Sequence, residues 1–158
     1  MRKMIVLLAV LVVAPATTPP IAAQAQPAAG KPHLGLWVTD GGKSHVEVSE
    51  CGPGICAKIV WLKDPNDDKG KPLYDGNNKN EKLRTRPIMG LPLFENMRPA
   101  EKGWLGTVYD PEEGDAYDDV TVWLSGPDKL SLKGCVLIIC ETRSWDRMTS
   151  AAGAKRAP

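Results

Sequence analysis

The sequence predicts an all-β protein, an eight-stranded antiparallel up-and-down barrel with one long loop. Eight short β-prone runs lie between residues 34 and 145, and Gly, Pro, Asn and Asp separate them. The first run contains Gly35-Leu36-Trp37, and the last leads into Trp145-Asp146-Arg147. An arginine packs favourably over an indole, so Arg147 and Trp37 are expected to join the last strand to the first. Closure of eight strands also removes exposed sheet edges.

The eight runs are justified by their composition and by the turns between them. In order, the predicted strands are residues 34–39, 45–49, 56–61, 91–94, 104–109, 120–124, 129–134 and 138–145. Apolar residues alternate along the sixth run (120–124) and the seventh (129–134), as burial of one sheet face requires. In the second run, Val46 and Val48 share a face, so His45 is predicted to face solvent.

A polar segment, residues 63–87, separates the third run from the fourth. It is too long for an ordinary turn, and loops of this length are usually functional or partly helical. Residues 80–84 are predicted to form a short helical turn that ends before Pro87, because a residue that precedes proline disfavours helix. Asp64, Asn66, Asp68 and Asp75 have the oxygen spacing of a calcium loop, but Lys69 stands where such loops need glycine. A solvated loop without metal is therefore the preferred interpretation.

The N-terminal residues 1–25 are predicted to be a cleaved signal peptide. Arg2-Lys3 precede an apolar run of about 10 residues, too short to span a bilayer, and Ala23-Gln24-Ala25 has the small residues of a cleavage site. The first cysteine is Cys51, so no lipidation site lies near the cleavage point. We therefore expect a periplasmic or secreted protein. It would have a flexible N-terminal segment (26–33), a single barrel domain (34–149) and a flexible tail (150–158).

Charge and cysteine content limit the partners. With 20 Lys+Arg against 19 Asp+Glu, the chain lacks the basic surface that nucleic-acid binding requires. No later segment is suited to span a membrane, no cofactor is predicted, and a monomer or weak dimer is expected. The spacing of four cysteines favours local disulfides, Cys51–Cys56 and Cys135–Cys140, each contributing about 2 kcal/mol. Zinc is the alternative, although C-x4-C differs from the usual ribbon spacing.

Several motifs occur in a characteristic order along the chain. They are Gly35-Leu36-Trp37, Cys51 with Cys56, Lys58 to Leu62, Asp75-x-x-Asn78, Leu83 to Leu91, Trp104, Tyr109-Asp110-Pro111-x-x-Gly114-x-x-Tyr117, Leu130-x-Leu132-x-Gly134 and Trp145-x-Arg147. In this order they resemble a bacterial family of small secreted proteins, domain of unknown function 2147. The resemblance implies a lipocalin-like, calycin-type barrel that is exported and that binds a small apolar molecule. The apolar segment 136–139 departs from the family, where a glycine-containing turn is ordinary.

The predicted function is non-catalytic binding of a small, largely apolar or amphipathic molecule inside the barrel. Indoles and phenols offer large contact areas with one polar group, and arginine pairs well with an anionic head group. Trp37, Trp145 and Arg147 are expected to be structural. For Arg86 the preferred interpretation is an ion pair that fastens the long loop, with Asp75 as its candidate partner, and a ligand role is the alternative. The candidate ligand-binding residues are Trp61, Arg84, Arg86, Trp104, Tyr109, Tyr117 and Trp123.

Two other functions stay open. A hydrolase would use loop carboxylates, yet a solvated turn explains these residues better and no catalytic motif accompanies them. A cell-envelope interaction module would have a filled barrel and would present the apolar tip, residues 136–139, to a partner protein or a membrane. The preferred interpretation of the tip is instead a plug folded over one end of the barrel. The candidate carboxylates are Glu112, Glu113, Asp115, Asp118 and Asp119.

Overall fold

All eight β-prone runs form strands in the computed structural model, which describes residues 31–149. The strands pair in the order β3-β2-β1-β8-β7-β6-β5-β4, each antiparallel to its neighbour. The predicted signal peptide, most of the predicted N-terminal segment and the whole predicted tail lie outside the described residues. The strands are β1 (Gly35–Val38), β2 (Ser44–Cys51), β3 (Gly54–Leu62), β4 (Phe94–Ala100), β5 (Gly103–Asp110), β6 (Asp115–Gly126), β7 (Lys129–Val136) and β8 (Ile139–Arg147).

The barrel is nearly closed, and its seam lies between β3 and β4. Three backbone hydrogen bonds cross the seam: Ile59 N–H to Leu91 O, Gly90 N–H to Ile59 O and Leu93 N–H to Ala57 O. Leu91 and Leu93 are buried there. The fourth strand consequently begins at Phe94, the last residue of the predicted range 91–94. Residues 91–93 lie at the seam, where Leu93 N–H donates to β3 and Leu93 O accepts from Tyr109 N–H of β5.

Alternation of buried side chains agrees with the sequence in most strands. Val46, Val48, Val122 and Leu130 are almost completely buried. The prediction for His45 is wrong, because its exposed fraction is only 9% and its ring stacks on that of Trp61 at 4.1 Å. The register shifts at this point in the β2–β3 ladder, so simple alternation does not hold there.

One end of the barrel, which we call the closed end, contains the β2–β3, β4–β5 and β6–β7 turns. The predicted contact between the first and last strands is present here, since the Arg147 guanidinium carbon lies 4.3 Å from the centroid of the Trp37 ring. Arg147 also donates to the carbonyl oxygens of Leu34 and Pro32. Pro32 thus contacts the barrel, and so does His33, whose ring packs at a tilt against that of Trp104, although the sequence assigns both residues to a flexible segment.

The other end, the open end, contains the β1–β2, β3–β4, β5–β6 and β7–β8 connections. The long β3–β4 loop includes one 3-10 turn, Glu81–Leu83, where the sequence predicts a helical turn, and Asn80 caps it by accepting from Lys82 N–H. No helical turn within residues 31–149 has the length and apolar character needed to cross a membrane. The cysteines are paired locally at disulfide distance, as predicted: Cys51–Cys56 at the closed end and Cys135–Cys140 at the open end.

Candidate functional site

A cavity of about 500 Å³ lies inside the barrel and reaches the open end. Its wall is mainly aliphatic in the middle of the barrel, because β3, β5, β6 and β7 each direct a branched apolar side chain inward. Trp145 contributes an indole to the wall and stacks on Phe94, with ring centroids 5.7 Å apart. The apolar wall residues are Ile59, Leu93, Val108, Val120, Leu132 and Trp145.

The mouth of the cavity is strongly charged. Two cations pair with carboxylates at the mouth. Lys43 Nζ lies 2.8 Å from Glu112 Oε2, and Arg143 Nε lies 3.0 Å from Glu141 Oε1. Although partial burial lowers the pKa of Arg143, its carboxylate neighbours raise it more, so this side chain stays charged. Carboxylates outnumber the cations by five to two, which makes the mouth acidic. The five are Asp40, Asp110, Glu112, Glu113 and Glu141.

Two tyrosines among the predicted ligand-binding residues, Tyr109 and Tyr117, line the cavity. The Tyr117 hydroxyl donates to a carboxylate oxygen of Glu113, and this hydrogen bond raises the pKa of Tyr117 to about 12. Tyr117 is therefore a neutral phenol at the mouth across the physiological pH range.

The long loop is fastened to the barrel by a buried polar cluster, which we call the Asp75 cluster: Asp75, Asn78, Arg86 and Tyr109. Asp75 is completely buried. It accepts hydrogen bonds from the Tyr109 hydroxyl at 2.6 Å, from Asn78 Nδ2 at 2.8 Å and from Arg86 Nε at 2.8 Å. The Arg86 guanidinium also lies over the Tyr109 ring. The ion pair that the sequence analysis preferred for Arg86 is thus present.

Electrostatics within the Asp75 cluster favour the ionised carboxylate. Burial by itself raises the pKa of Asp75, but the three hydrogen bonds outweigh that penalty and hold the pKa below its usual value. Burial and the adjacent carboxylate raise the pKa of Tyr109, which therefore remains a hydrogen-bond donor. The cluster is a stable anchor in which each donor meets an acceptor.

The other predicted ligand-binding residues lie away from the cavity wall. Trp61 stacks on His45, and Trp104 packs against His33 with the two rings tilted. The centroid of the Trp123 ring lies 4.0 Å from the Lys102 ammonium. Arg84 donates to the backbone of Asn78 and pairs with Glu81. Arg86 belongs to the Asp75 cluster. A ligand role for these five residues stays a prediction, and the contacts observed are structural.

Sequence reasoning missed Arg143, Glu141 and Lys43 at the mouth. Period-two alternation along β8 could have indicated two of them, Arg143 and Glu141. Counting back from Trp145 in steps of two gives Arg143, Glu141 and Ile139, and all four line the cavity. Lys43 belongs to the β1–β2 loop and offers no comparable pattern.

The apolar tip, residues 136–139, closes the β7–β8 hairpin at the open end. Leu137 and Ile138 are 96% and 95% exposed, and Val136 and Ile139 are also largely exposed. The interpretation of the tip as a plug is therefore wrong. The ladder continues to the Val136–Ile139 pair, so the two-residue turn projects beyond the barrel instead of folding across it.

Four of the five loop carboxylates considered for hydrolysis, all but Asp119, have structural partners. Lys79 pairs with Asp115, and the hydroxyl of Thr107 donates to Asp118. Within residues 31–149 no three His, Cys, Asp or Glu side chains are grouped so that they could hold a metal ion. The calcium alternative gains no support, because both oxygens of Asp75 are engaged in its cluster.

Comparison with known proteins places the chain in a family and supports the fold. Residues 35–147 match a family model described as an uncharacterized protein conserved in bacteria, DUF2147. A solved structure, protein HP1028 from Helicobacter pylori, described as belonging to the lipocalin family, superposes with a TM-score of 0.62. It has 21% sequence identity, over 77% of this chain and 86% of that one. No curated protein matches the chain.

Proposed function

This chain belongs to the DUF2147 family of bacterial proteins, and we propose that it is an exported binding protein that holds one small amphipathic molecule inside its barrel without catalysis. The observation that carries the proposal is the cavity of about 500 Å³, open at one end and walled by aliphatic side chains. Small-molecule sites commonly occupy about 300–1,000 Å³ and combine an apolar wall with a few polar groups. A barrel filled by its own side chains, as the alternative interaction module requires, would leave no such space.

The lining of the cavity indicates which ligand chemistry fits. An apolar body suits the wall formed by Ile59, Val108 and Leu132. The excess of carboxylates at the mouth repels an anionic head group and favours a neutral or cationic one. Tyr117 adds a phenol beside that position. This ligand differs from the anion that arginines in the long loop would recognise.

Support for a non-catalytic role comes from the engagement of the loop carboxylates. Glu112 pairs with Lys43, Asp115 with Lys79 and Glu113 with the Tyr117 hydroxyl. A general acid needs a raised pKa. The pKa of Asp115 is instead lowered by its hydrogen bond from Lys79. Export is supported by the leader sequence and by the two local disulfides, which form in oxidising compartments.

The first test is native mass spectrometry of the mature protein purified from its own periplasm, followed by organic extraction of any molecule released on denaturation. We expect a stoichiometric adduct of small mass. In parallel, the neutral fluorophore N-phenyl-1-naphthylamine should bind the delipidated protein more tightly than the anionic anilinonaphthalene sulfonate.

A matched pair of variants shows whether the probe enters the barrel. Val108→Trp fills the cavity and should abolish probe binding. Thr121→Trp places the same side chain on a residue whose neighbours, Val120 and Val122, are buried, so it faces away from the core and should leave binding unchanged. A clean apo mass together with equal probe binding by the two variants would contradict the proposal.

A further inference from the structure

The apolar tip, residues 136–139, has an exposure that folding does not explain. Of its four aliphatic side chains, two are more than nine-tenths exposed. Exposed aliphatic residues scattered singly are ordinary, but four consecutive ones at the end of a hairpin form a contiguous apolar surface. Its exposure costs free energy in water, and no contact within residues 31–149 compensates for it.

The tip is also rigid. The Cys135–Cys140 disulfide closes the hairpin immediately below it, and Val136 pairs with Ile139 across the ladder. Leu137 has a φ of 56°, in the left-handed region that favours glycine. Leucine is less favourable than glycine in this backbone conformation. Leu137 therefore lowers the stability of the turn while it adds apolar surface.

The dimensions of the tip favour a lipid surface over a protein partner. A standard protein–protein interface uses about 20–30 residues on each side, far more than the four residues available here. A projection of two residues per arm is roughly 7 Å long, given a rise of about 3.3 Å per residue. Apolar segments that bind membrane interfaces reach about 5–10 Å into the boundary between head groups and acyl chains.

The charge distribution sets a limit to insertion. Below the disulfide, the hairpin carries Lys133 on one arm and Glu141 and Arg143 on the other. These side chains belong in water or among head groups, so they would stop insertion at the level of the disulfide. We propose that the apolar tip docks the open end of the barrel onto a lipid bilayer.

Docking at this position brings the cavity mouth to the membrane. Val136 and Ile139 are part of the cavity lining as well as part of the tip. Along β7 the lining continues from Val136 past Gly134 to Leu132 without a charged side chain. An amphipathic ligand passes between bilayer and barrel along this apolar edge of the mouth. This second step rests on the proposed function, whereas docking itself does not.

The test is co-sedimentation of the mature protein with vesicles of neutral phosphatidylcholine, because the acidic mouth at the open end would repel an anionic bilayer. We expect the wild type to bind, and the double variant Leu137→Ser/Ile138→Ser to bind roughly tenfold more weakly, since two aliphatic side chains are lost from the interface. Binding should survive high salt, because it is apolar in origin. Leu36→Ser, which removes an exposed leucine from β1, is the matched control and should bind as the wild type does.

Three results would overturn the inference: no vesicle binding by the wild type, equal binding by the tip variant, or a concentration-dependent dimer that the tip variant abolishes. Because both tip residues are exposed, the double variant should fold normally, which circular dichroism and urea unfolding verify. Val108→Trp separates the two proposals. If this variant binds vesicles but not the probe, both the ligand-binding proposal and the docking proposal hold. If the wild type binds vesicles but carries no ligand and binds no probe, only the docking proposal holds.

Discussion

The Tyr109 hydroxyl donates a hydrogen bond of 2.6 Å to Oδ1 of Asp75, a residue 34 positions earlier in the chain. This contact joins strand β5 to the long β3–β4 loop at the seam of the barrel. With Arg86 and Asn78 it buries a carboxylate completely while leaving neither of its oxygens without a donor. The stability of the loop therefore depends on a few polar contacts.

Arg86→Met tests this dependence. It leaves a buried carboxylate without its cation, and breaking such a pair costs about 3 kcal/mol or more in the free energy of unfolding. Arg98→Met makes the same chemical change at an exposed position on β4 and should cost less than about 1 kcal/mol. Urea denaturation at neutral pH measures both. Equal effects would show that the Asp75 cluster does not fasten the loop.

Stability should also fall in acid through Asp75. Its pKa is lowered in the folded state, so below the unfolded value of about 3.9 the unfolded chain binds the proton first and the ionised carboxylate ceases to stabilise the fold. Urea midpoints of the wild type and Asp75→Asn, measured from neutral pH down to strong acid, should differ most above that pKa. The difference should shrink as the pH falls through the folded pKa. A constant difference would contradict the assignment.

Arg147→Met tests the closed end. The substitution removes the cation over Trp37 and the donors to the Leu34 and Pro32 carbonyls, so the free energy of unfolding should fall by about 2 kcal/mol. Lys102→Met removes a second cation–π contact, over Trp123, but on an exposed turn, and should cost under about 1 kcal/mol. Thermal unfolding distinguishes the two. An Arg147 variant as stable as the Lys102 variant would refute a closing role.

Gly54→Ala tests the packing of β3 against β4. A Cβ at Gly54 would lie 1.7 Å from the carbonyl oxygen of Met97, so the strands must move apart, at a cost of about 3 kcal/mol. At Gly52, in the adjoining turn, a Cβ meets nothing within 4 Å, although its φ of 57° favours glycine. Gly52→Ala should therefore cost only about 1 kcal/mol. If urea unfolding shows that Gly54→Ala and Gly52→Ala lower the free energy of unfolding equally, the close approach of β3 and β4 does not require glycine at position 54.

Local patterns were sufficient for much of the fold. Period-two burial at Val46 and Val48 and the turn residues between runs predicted the strands, and the spacing of Cys51 and Cys56 predicted their pairing. Local patterns did not predict the burial of His45, where a register shift changes the face of the strand. They also misplaced the start of β4, because residues 91–93 lie at the seam. Indoles were chosen as ligand contacts because of their size. Trp61, Trp104 and Trp123 contact neighbouring rings or a cation in the structure, and their ligand role stays a prediction.

The number, order and pairing of the strands and the two local disulfides can be predicted from local patterns, because they depend on side-chain alternation and on turns between neighbours in the chain. The contact between Asp75 and Tyr109, the position of Lys43 and Arg143 at one mouth, and the exposure of the apolar tip follow from three-dimensional packing. Barrel closure brings together residues far apart in sequence, and burial depends on the neighbours that closure supplies. A short apolar run carries no signal that distinguishes a plug from a projecting tip.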